Sequence, residues 1–414
     1  MEKTIQRIVE QTKIIDIHTH LFPRIFDQYC LQGIDNLLTY HYLISELFVV
    51  CNSINIKDFY QLSIKQQADI IWKELFINRT PISEACRGVL TTCHNLGFSK
   101  EVNERNLDSL RIGFTELIQS KQDYIEYIFN KSNIDYVVMT NQIFNKNEVD
   151  KLLNIDLTKI PKQFKTSLRI DELIFDFDNC LKFIQNYGFK PDWDGIRDYI
   201  RFWYHKLNPE YFMASLPFQF SYYLSEDKSS VFNMNSTNVI DLILVPLAIE
   251  LNLPIAFKFG THRKQNKDLK DAGDGLGIAC VDSLCNLCKV NKKCKFLATF
   301  LSLNNQHQLC VAARNFPNLH IYGCWWYLNN PSLIENITKM RLEMLGLGFT
   351  YQHSDSRVLE QLIYKWSHSK IILTKLLTQK YSELKNLNWK ITEEEVKRDV
   401  NYLLRGSYES FINM

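Results

Sequence analysis

Ile14-Ile15-Asp16-Ile17-His18-Thr19-His20 is the stretch whose reading decides the fold. It is a short β-branched run that ends in a His-x-His pair. Working outward, seven further runs of β-branched or aromatic residues repeat the pattern. They are YVVMT from Tyr136, TSLRI from Thr166, YFMASLP from Tyr211, PIAFKFG from Pro254, FLATFL from Phe296, HIYGC from His320 and FTYQHSD from Phe349. Amphipathic helical patterns lie between them, such as VIDLILVPLAIEL from Val239 and NQHQLCVAARNF from Asn305. Strand, helix, strand repeated in this way requires a parallel sheet, because parallel neighbours need a long crossover. Eight such units predict an α/β fold of the (β/α)8 TIM barrel kind.

The rhythm breaks once, between the first two runs. Residues from about 33 to 133 read as helices, in IDNLLTYHYLISELF, SIKQQADIIWKELF and LRIGFTELIQSKQDYIEYIF. We expect a helical insertion on the loop after the first strand, at the face where such barrels carry their chemistry. ITEEEVKRDV, near the end, opens a C-terminal helix with acidic residues where the helix dipole favours them. No repeat or linker divides the chain, so residues 1–414 are expected to form a single domain.

Composition narrows the function classes. The 414 residues are 46% hydrophobic and 23% charged with a net charge of +2, as in a soluble globular protein without a basic nucleic-acid stripe. A small anionic substrate would therefore need local arginines. No run approaches the roughly 18 apolar residues of a membrane span. The opening MEKTIQRIVEQTK lacks a signal-peptide core, so the expected compartment is the cytoplasm. The eleven cysteines, odd in number and scattered, read as reduced thiols. Cys285, Cys288 and Cys294, with Cys280 nearby, lack the spacing of a zinc knuckle.

Alternate residues of a strand point the same way, so His18 and His20 share a side and offer a ready pair of metal ligands. The competing reading is two hydrogen-bonded histidines at a strand end. His353-Ser354-Asp355-Ser356-Arg357 ends the eighth run, beside the first in a closed barrel. Asp355 could then reach a metal held by His18 and His20, leaving a position open for substrate. Arg357 could fix Asp355 or bind an anion, while the alternative for the whole segment is a solvated helix cap. YFMASLP holds no lysine, PIAFKFG offers Lys258 where a histidine would stand, and FLATFL has no histidine. That argues for one metal ion rather than two.

Other residues are candidates in the same region. Tyr40-His41-Tyr42 in the insertion could serve proton transfer, or its rings could simply pack inward. Arg169 ends the third run and could clamp a carboxylate through two hydrogen bonds, or form a surface ion pair. Trp325 and Trp326 could wall a sugar pocket or belong to the core.

Taken together, the chain resembles the uronate (glucuronate) isomerases of the amidohydrolase superfamily, nearly end to end. The resemblance rests on DIHTHLF from Asp16, IDNLLTYHYLISELF from Ile34, QADIIWKELF from Gln67, SEACRGVLT from Ser83 and MASLP from Met213. It continues through FLATFLSLNNQHQLCVAARNFPNLHIYGCWWYLNNPSLI from Phe296 and HSDSRVLEQLIYKWSHSK from His353. The resemblance implies one divalent metal ion, zinc, held by His18, His20 and Asp355. It implies that His41, Tyr42 and Arg357 surround the reacting carbons and that Arg169 helps hold the sugar acid. It also implies conversion of D-glucuronate to D-fructuronate and of D-galacturonate to D-tagaturonate, by a protein that assembles as a homo-oligomer. The rival reading is a mononuclear metal-dependent hydrolase of the same superfamily, acting on a sugar-acid lactone, ester or amide. One departure stands out: close members carry arginine in S-R-E-N-Q-H, where this chain has Ser302-Leu303-Asn304-Asn305-Gln306-His307. Lys258 or His262 is expected to supply the missing positive charge.

Overall fold

The computed structural model describes residues 1–222 and 237–414. Seven parallel strands form one sheet in the order β1 (Ile14–Asp16), β2 (Ile134–Gln142), β3 (Phe164–Arg169), β4 (Phe212–Pro217), β5 (Ile255–His262), β7 (Phe296–Phe300) and β8 (Leu319–Ile321). The short β6 (Gly275–Leu276) pairs antiparallel with the end of β5. It lies in the glycine-rich stretch Gly273-Asp274-Gly275-Leu276-Gly277.

The strands alternate between two faces, as the pleat requires. In β5, Phe257 and Phe259 pack outward into the large core shared with the helices, and each is fully buried. Burial of a side chain of this size contributes about 1.5–3 kcal/mol. Ala256 points the other way, into a smaller inner cluster with Ile15, Ile17, Val138, Tyr211, Met213 and Leu297. Lys258 is the next residue on that inner face. Strands buried on both faces read as near-continuous apolar runs, which is why PIAFKFG and FLATFL stood out.

Seven of the eight expected strands form. The eighth run does not pair as a strand: residues 349–356 make one bridge, between Tyr322 and Thr350, and otherwise run irregularly. Asp355 N–H donates to the His18 carbonyl at 3.2 Å, and His20 N–H to the Ser356 carbonyl at 2.8 Å. Asp355 itself has φ of 54°, a left-handed conformation that interrupts any ladder there.

Between β1 and β2 the chain is helical, with breaks the periodicity did not show. Ile34–Leu38 and His41–Val50 are separate helices, so Tyr40 caps the second rather than continuing the first. Leu107–Ser120 and Tyr124–Ser132 likewise split around Lys121. At the other end, Thr392 and Glu395 form a reciprocal capping box that starts Glu393–Asn401. The following helix, Ser407–Asn413, places Tyr408 and Phe411 in the inner cluster, where Tyr408 donates to Glu210 just before β4. All eleven cysteines are unpaired. Among the described residues no helix is long and apolar enough to cross a membrane.

Candidate active site

β1 ends at Asp16, so strand alternation alone does not place His18 and His20. The irregular turn after it does. Thr19 N–H donates to the Val138 carbonyl at 2.9 Å, and the Thr140 hydroxyl donates to the Thr19 carbonyl at 2.9 Å. The two imidazoles then lie 5.1 Å apart at their centroids. His18 Nε2 is 3.0 Å, and His20 Nε2 3.6 Å, from Asp355 Oδ1. Among the described residues, these three side chains form the one group of histidine, cysteine and acidic ligands gathered closely enough to hold a metal ion. The four-cysteine region does not form one.

The electrostatics suit a cation. Burial, and then the Lys258 charge, push the His18 imidazole down to about 4. Burial holds His20 well below its ordinary value too. Both rings are therefore neutral near pH 7, with a lone pair free to ligate. Burial alone would raise Asp355, but Lys258 and the two imidazoles outweigh it and keep the carboxyl well below its usual range. Lys258 Nζ lies 2.6 Å from His18 Nε2 and 3.3 Å from Asp355 Oδ1. A positive group thus sits where the lone pairs converge, so the residues fit a divalent ion.

Lys258 also sits 4.3 Å from the Trp325 ring centre. Burial pushes its ammonium down to about 7, against the pull of Asp355. The sequence pointed to this lysine as standing in a histidine's place and as a source of positive charge; its contact with two prospective ligands comes from the fold.

A cavity of about 30 Å³ opens beside these groups. It has room for an ion or a pair of waters, since one water needs about 10–15 Å³. His20, His41, Arg169, Lys258, Trp325, Trp326, Asp355 and Arg357 all line it. The structure thus brings together nearly every residue singled out from the sequence. Tyr42 is not in the lining. Its ring is 4.5 Å from that of His41 and packs against the Leu301, Trp325 and Trp326 cluster.

Arg169 does clamp a carboxylate, but one of its own chain: its Nε and Nη2 meet Asp171 at 2.8 and 3.2 Å. Asp171 also accepts from the Ser215 N–H, which fixes β4 beside it. Arg357 donates to Asp271 at 2.9 Å. Arg263, which carried no sequence signal, lines the cavity with its guanidinium 5.4 Å from the Trp326 ring centre, and pairs with Asp274. His262 is outside the lining, its ring tilted against that of Phe218, and Leu303 is 43% exposed and also outside it. Lys258 and Arg263 thus bring positive charge to the cavity, whereas His262 and Leu303 lie outside its lining. Asp271, Ser215 and Met213 also line the cavity; Met213 and Ser215 lie in MASLP but were not singled out within it, and no motif marks Asp271.

Two residues at the site hold strained backbones, Trp326 at φ 49° and Asp355 at φ 54°. Non-glycine residues in this region concentrate at functional sites, where the surroundings hold them.

A His-x-His turn after the first strand of a curled parallel sheet, meeting a carboxylate from its last turn, defines an amidohydrolase-like α/β protein. A uronate isomerase from Bacillus halodurans superposes with a TM-score of 0.92 at 38% identity, over 100% of this chain and 96% of that one. The chain belongs to the uronate isomerase family. A uronate isomerase from Thermotoga maritima (TM-score 0.79, 14% identity, 100% of this chain and 98% of that one) shares the fold. So does a glucuronate isomerase from Caulobacter crescentus (0.72, 13%, 100% and 93%). No protein-family model and no curated protein sequence matches the chain.

Proposed function

We propose that this protein interconverts an aldose sugar acid and its keto form, D-glucuronate to D-fructuronate or D-galacturonate to D-tagaturonate. The observation that carries the reading is a full-length likeness to a uronate isomerase, with His18, His20 and Asp355 converging beside a cavity lined by arginines. We further read the seven parallel strands and residues 349–356 as a closed eight-fold barrel, with the helical insertion as its roof. Ser45 and Tyr60 of the insertion donate to the Ala272 and Leu269 carbonyls of the segment over the cavity, which supports this.

His18, His20 and Asp355 would hold one divalent ion, zinc. Such an ion supplies polarisation of the sugar oxygens, which makes the C2 proton more acidic. Arg169 and Arg263 hold the substrate carboxylate, and Trp325 and Trp326 wall the sugar. The cavity must widen to admit it.

Asp355, or Tyr42 as the phenolate left once its phenol proton has passed to His41, takes the C2 proton, and the C–H electron pair becomes the C1–C2 double bond of an enediolate. The O2 proton then moves to O1, and return of the first proton to C1 leaves the C2 ketone. His41 relays the proton, and Arg357 steadies the negative charge through its half-buried guanidinium. Burial depresses His41 well below its ordinary value, so it is a neutral proton acceptor.

The test is incubation of metal-assayed protein with each uronate, following ketose formation through a coupled dehydrogenase. Turnover lost together with bound metal in His18→Ala, His20→Ala and Asp355→Ala supports the assignment. Metal-replete protein that makes no ketose but opens a sugar-acid lactone would replace it with the hydrolase reading.

A further inference from the structure

Lys365 lies in the second turn of the helix Gln361–Asn386, is 4% exposed, and has no hydrogen-bond partner for its Nζ among the described residues. A lysine is almost never buried unpaired, because its ammonium loses solvation and gains nothing in return. Its surroundings account for its retention. Nζ lies 5.5 Å from the centre of the Tyr42 ring and 5.9 Å from that of Tyr364. His41 Nε2 is itself buried without a partner, as are both ring nitrogens of His353, while the Tyr42 hydroxyl pairs with that of Tyr40.

Charge is distributed unevenly around this group. Burial lowers Lys365 to about 8, while Asp355, Asp16 and Glu84 act to keep it protonated. It therefore stays mostly charged near pH 7. In return, it disfavours protonation of His41 and His353. Tyr42 feels burial first, then Tyr40, Asp355 and Tyr364, and all four hold its phenol well above its ordinary value. A tyrosine so placed is a poor proton carrier unless a cation offsets them. Lys365 is the buried cation packed against its ring.

We propose that Lys365 is a positioning residue for the isomerisation: its buried, unpaired ammonium stabilises the Tyr42 phenolate that takes the C2 proton. It does not line the cavity and acts through Tyr42. The proposal rests on the reading of Tyr42 as a proton carrier.

Lys365→Met keeps the side-chain length and removes the charge. The expected result is a kcat lower by roughly 10- to 100-fold, with KM and bound metal little changed. The pH at which kcat reaches its plateau moves upward, since the tyrosinate becomes harder to form. Thermal stability stays level or rises, because an uncompensated buried charge has been removed. Lys365→Arg restores both the rate and the pH profile. Lys365→Gln makes the same comparison if the methionine variant does not fold. An unchanged kcat and an unmoved pH profile overturn the proposal. A cycle with Tyr42→Phe separates the two readings. Full activity in Tyr42→Phe removes the Tyr42 assignment itself. A slow Tyr42→Phe that Lys365→Met slows again by its whole factor keeps Tyr42 and overturns the role of Lys365. Should Tyr42→Phe leave nothing measurable, the pH profile of Lys365→Met decides alone.

Discussion

The Asp16 carboxylate accepts the N–H of Ser354, 338 residues further on, at 3.0 Å, and so joins the first strand to the turn that carries Asp355. Its second oxygen accepts the Trp366 indole N–H at 2.9 Å. The three prospective metal ligands are thus held in register by a carboxylate that does not itself line the cavity.

Asp16→Ala leaves both donors buried and unpaired, at a cost of about 1–3 kcal/mol each. We expect a clearly lower Tm and weaker metal retention after dialysis. Wild-type Tm and metal content in this variant would show that Asp16 does not position the site.

Glu360 gives a pH dependence. It is fully buried, and burial raises its carboxyl to about 7, although Gly33 N–H and the Tyr124 hydroxyl donate to it. The folded state therefore binds a proton that the unfolded chain releases in the ordinary carboxylate range. Its stabilising contribution is complete below that range and is lost as pH rises through about 7. Glu360→Gln cannot ionise. Relative to this variant, wild type should lose stability between about pH 5 and about pH 8 in thermal melts. A Tm difference that is the same at both ends contradicts the linkage.

Arg263 should act on binding. Arg263→Met is expected to raise KM for the uronate roughly tenfold while leaving kcat within about threefold, the pattern of a contact made equally in ground and transition states. Equal KM values in steady-state assays would mean that the carboxylate is held elsewhere.

Leu303 should not act on binding at all. It is 43% exposed and outside the cavity lining, so Leu303→Ala is expected to keep KM within about twofold. A larger change would show that the substrate reaches further than the cavity.

Deuterium at C2 tests the chemistry. Turnover should slow if proton abstraction limits the rate, and the label should wash into solvent from at least part of the product. Complete retention of deuterium at C1 would indicate hydride transfer instead.

Much of the fold was legible because its signals are local. Seven apolar runs became strands, since β-branched and aromatic residues between turn signals suit a sheet buried on both faces. The eighth was misread because apolar character does not report a backbone that turns left-handed at Asp355. Helix breaks at Tyr40 and Lys121 were hidden for a related reason: hydrophobic periodicity carries across a break when both halves pack on the same core.

By itself, the sequence determined the strand–helix alternation and the helical stretch between the first two strands, because spacing and residue type are enough for each; it nominated His18, His20 and Asp355 by residue type, but the turn after β1 is what brings them together. Tertiary structure alone decided which charges meet there. Lys258 lies between His18 and Asp355, Arg263 faces the cavity where His262 does not, and Lys365 is buried against Tyr42. These contacts join residues from distant segments through side-chain direction and burial. No single stretch of sequence encodes them, since a charge's surroundings exist only once the sheet has curled and the helices have closed over it.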